Sequence, residues 1–212
     1  MDRYTPRTAL LIVDVQNDFA DPRGSLYIRG AEQILPVLNR AVERAEEAGA
    51  WVVYTQDWHP QVTPHFQAYG GIWPVHCVRG TWGAALHPAL RRLEGGGRIF
   101  KGQGTDDGYS GFSARDSVTG GTHRTELEEL LRARGVQTVV VAGLATDHCV
   151  KATALDALAA GFDTFVLRDA VAAVDLRPGD GERALAEISR RGGHVTMSEP
   201  TWAGPDLSSA PR

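Results

Sequence analysis

Four side chains capable of acid–base or nucleophilic chemistry recur at equivalent places in this sequence. Asp14, Asp57, Lys101 and Cys149 each stand at or shortly beyond the end of a short apolar run. The runs are Ala9-Leu10-Leu11-Ile12-Val13, Trp51-Val52-Val53-Tyr54, Arg98-Ile99-Phe100 and Thr138-Val139-Val140-Val141, the last leading through Gly143 to His148 and then Cys149. If these runs are strands of an open parallel sheet, the four residues gather outside its C-terminal edge, where such sheets bind ligands. A thiol there can act as a nucleophile once a base takes its proton. Asp14 interrupts an apolar strand end, where an unpaired carboxylate is costly to bury. Beside Cys149 it would accept the thiol proton and later hand it to a departing amine. Lys101 near both would hold the anionic forms. Singly, the residues read as an inert core cysteine, a turn aspartate and a solvated lysine. Together at one edge they point to covalent hydrolysis of a small amide. Cys149 also falls in the first turn of a helix, where unpaired N–H groups are expected to lower its pKa. Cys77 has no such setting and reads as structural.

A second group could bind an ion. Asp57-Trp58-His59 is followed by His65 and by His76 in Trp73-Pro74-Val75-His76. One carboxylate and three imidazoles suit a single divalent ion such as Zn, Fe or Mn, with positions left for water or substrate. The spacing matches no zinc-finger pattern, so spacing by itself leaves the metal and ordinary histidines equally open. His87, His123, His148 and His194 fall outside this set.

The elements that must position these residues alternate between apolar runs and helical patterns, the mark of a parallel sheet covered on both faces. The expected fold class is α/β, a three-layer doubly wound fold with a mostly parallel six-stranded sheet. A helix is expected from about Ala31 to Ala48, with Ile34, Leu38, Ala41, Val42 and Ala45 on one face, Pro36 near its start and Gly49 at its end. Thr125 and Glu128 suggest a capping box for a helix carrying Leu127, Leu130 and Leu131. A further helix runs from about His148 to Ala160, then a strand at Thr164–Leu167, a helix from Asp180 to Arg191 and a last strand at His194–Met197. From Asp57 to Gly97 the chain has no convincing period, and the glycine-rich loop from Gly102 to Ser113 is similar. Long irregular segments inside a domain are usually functional.

The 212 residues read as one domain, 1–212, with its core at about 8–200 and a surface tail at 201–212. A hydrophobic content of 42% and a charged content of 23% are those of a globular chain. The net charge of −4, with no basic cluster, argues against a nucleic-acid or anionic-membrane partner. No apolar stretch approaches the roughly 20 residues that span a bilayer, and the first residues carry no signal-peptide pattern. The expected setting is therefore the cytoplasm, where the two cysteines would stay reduced.

These motifs resemble those of the isochorismatase-like cysteine hydrolases and, within them, the nicotinamidases, over about Thr8 to Pro200. LIVDVQNDF (Leu11 to Phe19) resembles the opening motif that carries the catalytic base, here Asp14. Ile99-Phe100-Lys101-Gly102 carries the lysine of the triad, and GLATDHCV (Gly143 to Val150) the nucleophile, Cys149. The resemblance further implies an oxyanion hole from the backbone N–H groups of Ala145 and Cys149, with a cis peptide before Ala145. DWHPQVTPHF and WPVHC supply all four ligand positions of the nicotinamidases: Asp57, His59, His65 and His76. The ion would bind the pyridine nitrogen of nicotinamide. Phe19 and Trp73 match pocket positions, and Tyr109 in GYSGF is a third candidate, whereas the Gly102–Gly108 segment matches no pattern closely. The implied reaction takes nicotinamide to nicotinic acid and ammonia through a cysteine thioester, a step of NAD salvage, with pyrazinamide also accepted. The implied assembly is a homo-oligomer.

Three rivals are weighed against this reading. Another isochorismatase-like amide hydrolase, acting on a carbamoyl compound without metal, has no reason to assemble four ligand positions. A dinucleotide-binding oxidoreductase predicts G-x-G-x-x-G after the first strand, where DVQNDF stands. An inactive scaffold on the same fold predicts the loss of a triad member, and none is lost.

Overall fold

The chain runs β1 (Thr8–Val13), α1 (Asn17–Ala20), α2 (Ala31–Glu47), β2 (Trp51–Asp57), β3 (Gly97–Lys101), β4 (Asp106–Asp107), β5 (Ser113–Asp116), β6 (Thr122–Arg124), α3 (Leu127–Ala133), β7 (Thr138–Leu144), α4 (Lys151–Ala159), β8 (Asp163–Ala172), α5 (Asp180–Arg190) and β9 (His194–Thr196). The structure, a computed structural model, describes residues 3–104, 106–116 and 119–199. The expected surface tail at 201–212 lies outside the described residues.

Six strands form one parallel sheet in the order β3-β2-β1-β7-β8-β9. From β1 the chain builds outward to β2 and β3, then crosses back to β7 and builds the other way. The order therefore reverses between β1 and β7, and the crevice of a doubly wound sheet opens there. β4, β5 and β6 form a small antiparallel sheet beside it.

β1 is buried along its whole length. Leu10 and Ile12 belong to one core with Leu35, Leu38 and Val42 of α2, whereas Leu11 and Val13 belong to another with Leu131, Val150 and Ile188. Two covered faces explain why the run is apolar without alternation. At the reversal point β1 and β7 come unusually close. Gly143 pairs with Val13 at φ +115°, and a Cβ there would collide with the Val13 carbonyl. Only glycine suits both the conformation and the space.

Three local expectations need correction. The strands β2, β3 and β7 extend past the apolar runs, so Asp57 and Lys101 are the last residues of β2 and β3 rather than loop residues. Thr125 and Glu128 form no capping box. The Thr125 hydroxyl donates to the Gly111 carbonyl at 2.6 Å and accepts from the Leu127 N–H at 3.2 Å, while Glu128 is taken by Arg124 and Arg132. Pro36 lies inside α2, more than a turn beyond Ala31, so it is not a first-turn proline. No helix among the described residues is long and apolar enough to cross a membrane.

Candidate active site

Asp14 leaves β1 with φ +49° and is wholly buried. Its Oδ1 accepts the Thr55 hydroxyl at 2.6 Å, and its Oδ2 lies 2.8 Å from Lys101 Nζ. Lys101, equally buried, also meets Asp57 Oδ1 in a close ion pair and stands 3.6 Å from Cys149 Sγ. One oxygen from each of Asp14 and Asp57 and the Cys149 sulfur all lie within 4.8 Å of one another. The three residues expected to form a triad are thus brought together across β1, β3 and the turn after β7, with Asp57 as a fourth member.

The charge balance follows from this packing. Burial raises the Asp14 carboxyl above its ordinary range, and the neighbouring Asp57 adds to the rise, against Lys101 and Thr55. Burial also opposes the charge of Asp57, yet Lys101, His59 and His76 outweigh it and hold that carboxyl well below its usual range. For Lys101, burial is overcome by Asp14, Asp57 and Cys149, so the ammonium is held charged.

Cys149 corrects an expectation. It lies not in a regular first helical turn but in a wide π-type turn, Thr146–Val150, that opens α4. Burial pushes its thiol well up, Asp14 and Asp57 push it further, and Lys101 opposes them. The helix start does not win against the loss of solvent, so the resting group is a thiol. The bond Leu144–Ala145 is cis, as the resemblance implies. The Ala145 carbonyl accepts from the N–H groups of His148 and Val150 at 3.1 and 3.0 Å, which pins the start of this turn.

His59, His65 and His76 converge next to this group, each with one ring nitrogen within 4.8 Å of the others. In each ring Nδ1 is held elsewhere: by the Gly102 carbonyl at 3.1 Å, by Asp107 Oδ1 at 2.7 Å and by the Pro74 carbonyl at 2.7 Å. Asp57 Oδ2 stands 3.8 Å from His59 Nε2 and 3.9 Å from His76 Nε2. Burial lowers the His76 ring to about 4, so it is neutral and able to donate a lone pair. His59 Nε2 is buried without a hydrogen-bond partner. An orphaned imidazole nitrogen facing two further rings and a carboxylate fits a borderline divalent ion.

The two groups share one pocket. Its walls include Phe19, Trp73 and Tyr109, all expected, and its floor includes Ala145 and Cys149 beside Asp57, His65 and His76. The indole N–H of Trp73 donates to the Tyr109 hydroxyl at 3.1 Å, joining two walls. Leu26, Ile28, His148 and Val174 complete the lining and were not foreseen. His148 packs edge-to-face against Trp73 and Tyr109 with centroids 5.1 and 5.3 Å away. Its place beside the nucleophile was the available signal.

Sequence reasoning also missed several residues that hold the site. Gln16 brackets Asp57, accepting from its N–H at 2.8 Å and donating to its carbonyl at 2.7 Å. Asp18 accepts from the Cys77 N–H at 2.7 Å and the Ser25 N–H at 3.1 Å, tying the segment after His76 to α1. Asp147 Oδ1 and Oδ2 accept from Val174 and Asp175 at 3.0 and 2.9 Å. With His148 beside it, these bonds overcome burial and set the Asp147 carboxyl at about 2. Gln16 and Asp18 lie in the opening motif; Thr55 and Asp107 carried no comparable signal.

A parallel sheet reversing between β1 and β7, with an acid, a lysine and a cysteine at the crevice, defines an α/β cysteine hydrolase. The model of the isochorismatase domain matches residues 8–200, and the chain belongs to that family. A nicotinamidase of Escherichia coli (strain K12) is 34% identical over 203 residues, which cover 88% of this chain and 93% of that one. The structure of a pyrazinamidase of Pyrococcus horikoshii in complex with zinc is 40% identical, with a TM-score of 0.81 over 91% of this chain and 99% of that chain. The structure of PnC1 from L. infantum in complex with nicotinate is 36% identical, also with a TM-score of 0.81, covering 93% and 95%.

Proposed function

We propose that this protein hydrolyses nicotinamide to nicotinic acid and ammonia, accepts pyrazinamide as well, and so serves NAD salvage. The observation that carries this reading is the single pocket in which Cys149, with Asp14 and Lys101 behind it, faces the cluster of His59, His65 and His76. Nicotinamidase and nicotinate-bound relatives over nearly the whole chain support the substrate.

Asp14, with its raised pKa, takes the proton of Cys149 as the sulfur attacks the carboxamide carbon. Lys101 stays protonated and offsets the charge passed between them. The backbone N–H groups of Ala145 and Cys149 receive the developing oxyanion, where fixed donors in a dry site are most effective. Protonated Asp14 then gives its proton to the departing nitrogen; the C–N bond breaks, ammonia leaves and an acyl thioester remains. Asp14 next accepts a proton from water as it adds to the thioester. The C–S bond breaks, the thiolate recovers that proton, and the acid is released.

The protein binds one divalent ion, and Asp57, His59, His65 and His76 would hold it. When bound, it supplies a Lewis-acid anchor for a ring nitrogen. Phe19, Trp73 and Tyr109 flank the ring and exclude water. The proposal extends to one domain over 1–212, a homo-oligomer and a cytoplasmic setting without nucleic-acid or membrane partners.

Ammonia release from nicotinamide tests the reading. Release by the metal-replete protein, abolished in Cys149→Ala and reduced by a chelator, is the expected result. No release from nicotinamide by metal-replete protein overturns it.

A further inference from the structure

One loop holds two of the three histidine rings. It begins where β3 ends at Lys101, and its first residue, Gly102, presents a carbonyl oxygen to His59 Nδ1 at 3.1 Å. Gly102 adopts φ +66°, and a Cβ there would collide with the His59 ring, so the backbone comes this close only because the residue is glycine. At the far end of the same loop Asp107 sets Oδ1 2.7 Å from His65 Nδ1. That oxygen also accepts the Gly108 N–H at 2.7 Å, which fixes its direction. A carbonyl or a carboxylate can only accept, so each ring donates through Nδ1 and leaves Nε2 as the atom available to an ion. Outer partners of this kind fix tautomer and ring direction and raise ligand basicity. Asp107 is not itself among the converging ligand residues, and no sequence motif marked it.

We propose that Asp107 is a positioning residue of the metal site: by holding His65 with Nε2 toward the ion, it makes the Gly102–Gly108 loop a determinant of metal affinity. This rests on the metal reading given above. The segment then has two ends with two duties, since the catalytic lysine stands at its root and the ring-orienting carboxylate at its far end, in β4. Asp106 provides an internal control. Its Oδ1 caps the Gly104 N–H at 2.7 Å, so it shapes the same loop but shows no contact with a ligand ring.

Metal-free native protein, Asp107→Ala, Asp107→Asn and Asp106→Ala would be titrated with Zn²⁺ against a chromogenic chelator. The visible spectrum of the Co²⁺ form and the urea midpoint of each metal-free protein would be recorded alongside. Asp107→Ala is expected to lose about 10–100-fold in Zn²⁺ affinity and to shift the Co²⁺ bands. Asp107→Asn keeps an acceptor oxygen without the charge and should fall between it and native. Asp106→Ala should stay within about twofold of native, and all metal-free midpoints should agree. Native-like Zn²⁺ affinity in Asp107→Ala, or an equal loss in Asp106→Ala, overturns the proposal. Native protein that binds no Zn²⁺ overturns the metal reading itself and this proposal with it.

Discussion

Lys101 Nζ lies 2.8 Å from Asp14 Oδ2, and neither side chain has appreciable contact with solvent. A second carboxylate, Asp57, closes on the same ammonium, so one buried cation answers two buried anions. Removing the cation alone leaves both charges uncompensated, the costly way to break a buried pair. Lys101→Met is therefore expected to lose about 3–5 kcal/mol of stability in urea unfolding and to abolish ammonia release. A variant that unfolds at the native urea concentration would show that the carboxylates do not depend on Lys101.

Thr55 donates to the other oxygen of Asp14, and that bond favours the ionised base. Thr55→Val keeps the shape and removes the donor, so the Asp14 carboxyl rises further. The acid limb of kcat/KM should move to higher pH, with kcat at neutral pH reduced by about tenfold. An unmoved acid limb would remove Asp14 from the role of base.

The His76 ring is held down at about 4 by burial, whereas in the unfolded chain it titrates near 6.5. Between these values the unfolded state binds the extra proton, so stability of the metal-free protein rises with pH across that window. On acidification from about 6.5 to about 4 this histidine alone should cost up to roughly 3 kcal/mol. Urea midpoints at pH 7 and pH 4.5 measure it, and His76→Gln should show the smaller difference.

Chelation removes the ion that would tie the end of β2, at Asp57, to His59, His65 and His76 in the segment that follows it. The chelated protein should melt lower and recover on adding Zn²⁺. At a free concentration of one hundred times Kd the gain is about 2.7 kcal/mol. A melting curve indifferent to Zn²⁺ would mean that the four residues do not form an ion site in the folded state.

Gly143 joins the two strands at the point of reversal, with φ +115° and no room for a methyl group. Gly143→Ala should destabilise the fold by more than about 2 kcal/mol and lower the yield of folded protein. Native-like stability would show that β1 and β7 can part without loss.

The legible part of this molecule is the part that repeats. The buried runs at Ala9–Val13 and Thr138–Val141 announce central strands, because two covered faces demand apolar residues throughout. Asp14, Lys101 and Cys149 stood out as reactive residues at strand ends. Where the strands turn polar the reading stopped short: Thr55, Gln56 and Asp57 belong to β2 although none is apolar, since Thr55 and Asp57 meet Asp14 and Lys101 at the site and Gln56 donates to the Ala84 carbonyl. Asp107 was invisible for a related reason. Its partner, His65, lies over forty positions back in a segment without period, and only the fold brings them together. The thiol of Cys149 was misjudged because helix position can be read locally, whereas desolvation depends on everything packed around it.

Asp147 fastens the turn that carries the nucleophile to the segment after β8 bearing Val174, which lines the same pocket. Two charge-assisted bonds therefore make that wall a fixed jaw rather than a flap. The spacing between Val174 and Cys149, and with it the width left for a guest, is thus set by backbone-to-carboxylate bonds rather than by side-chain packing alone.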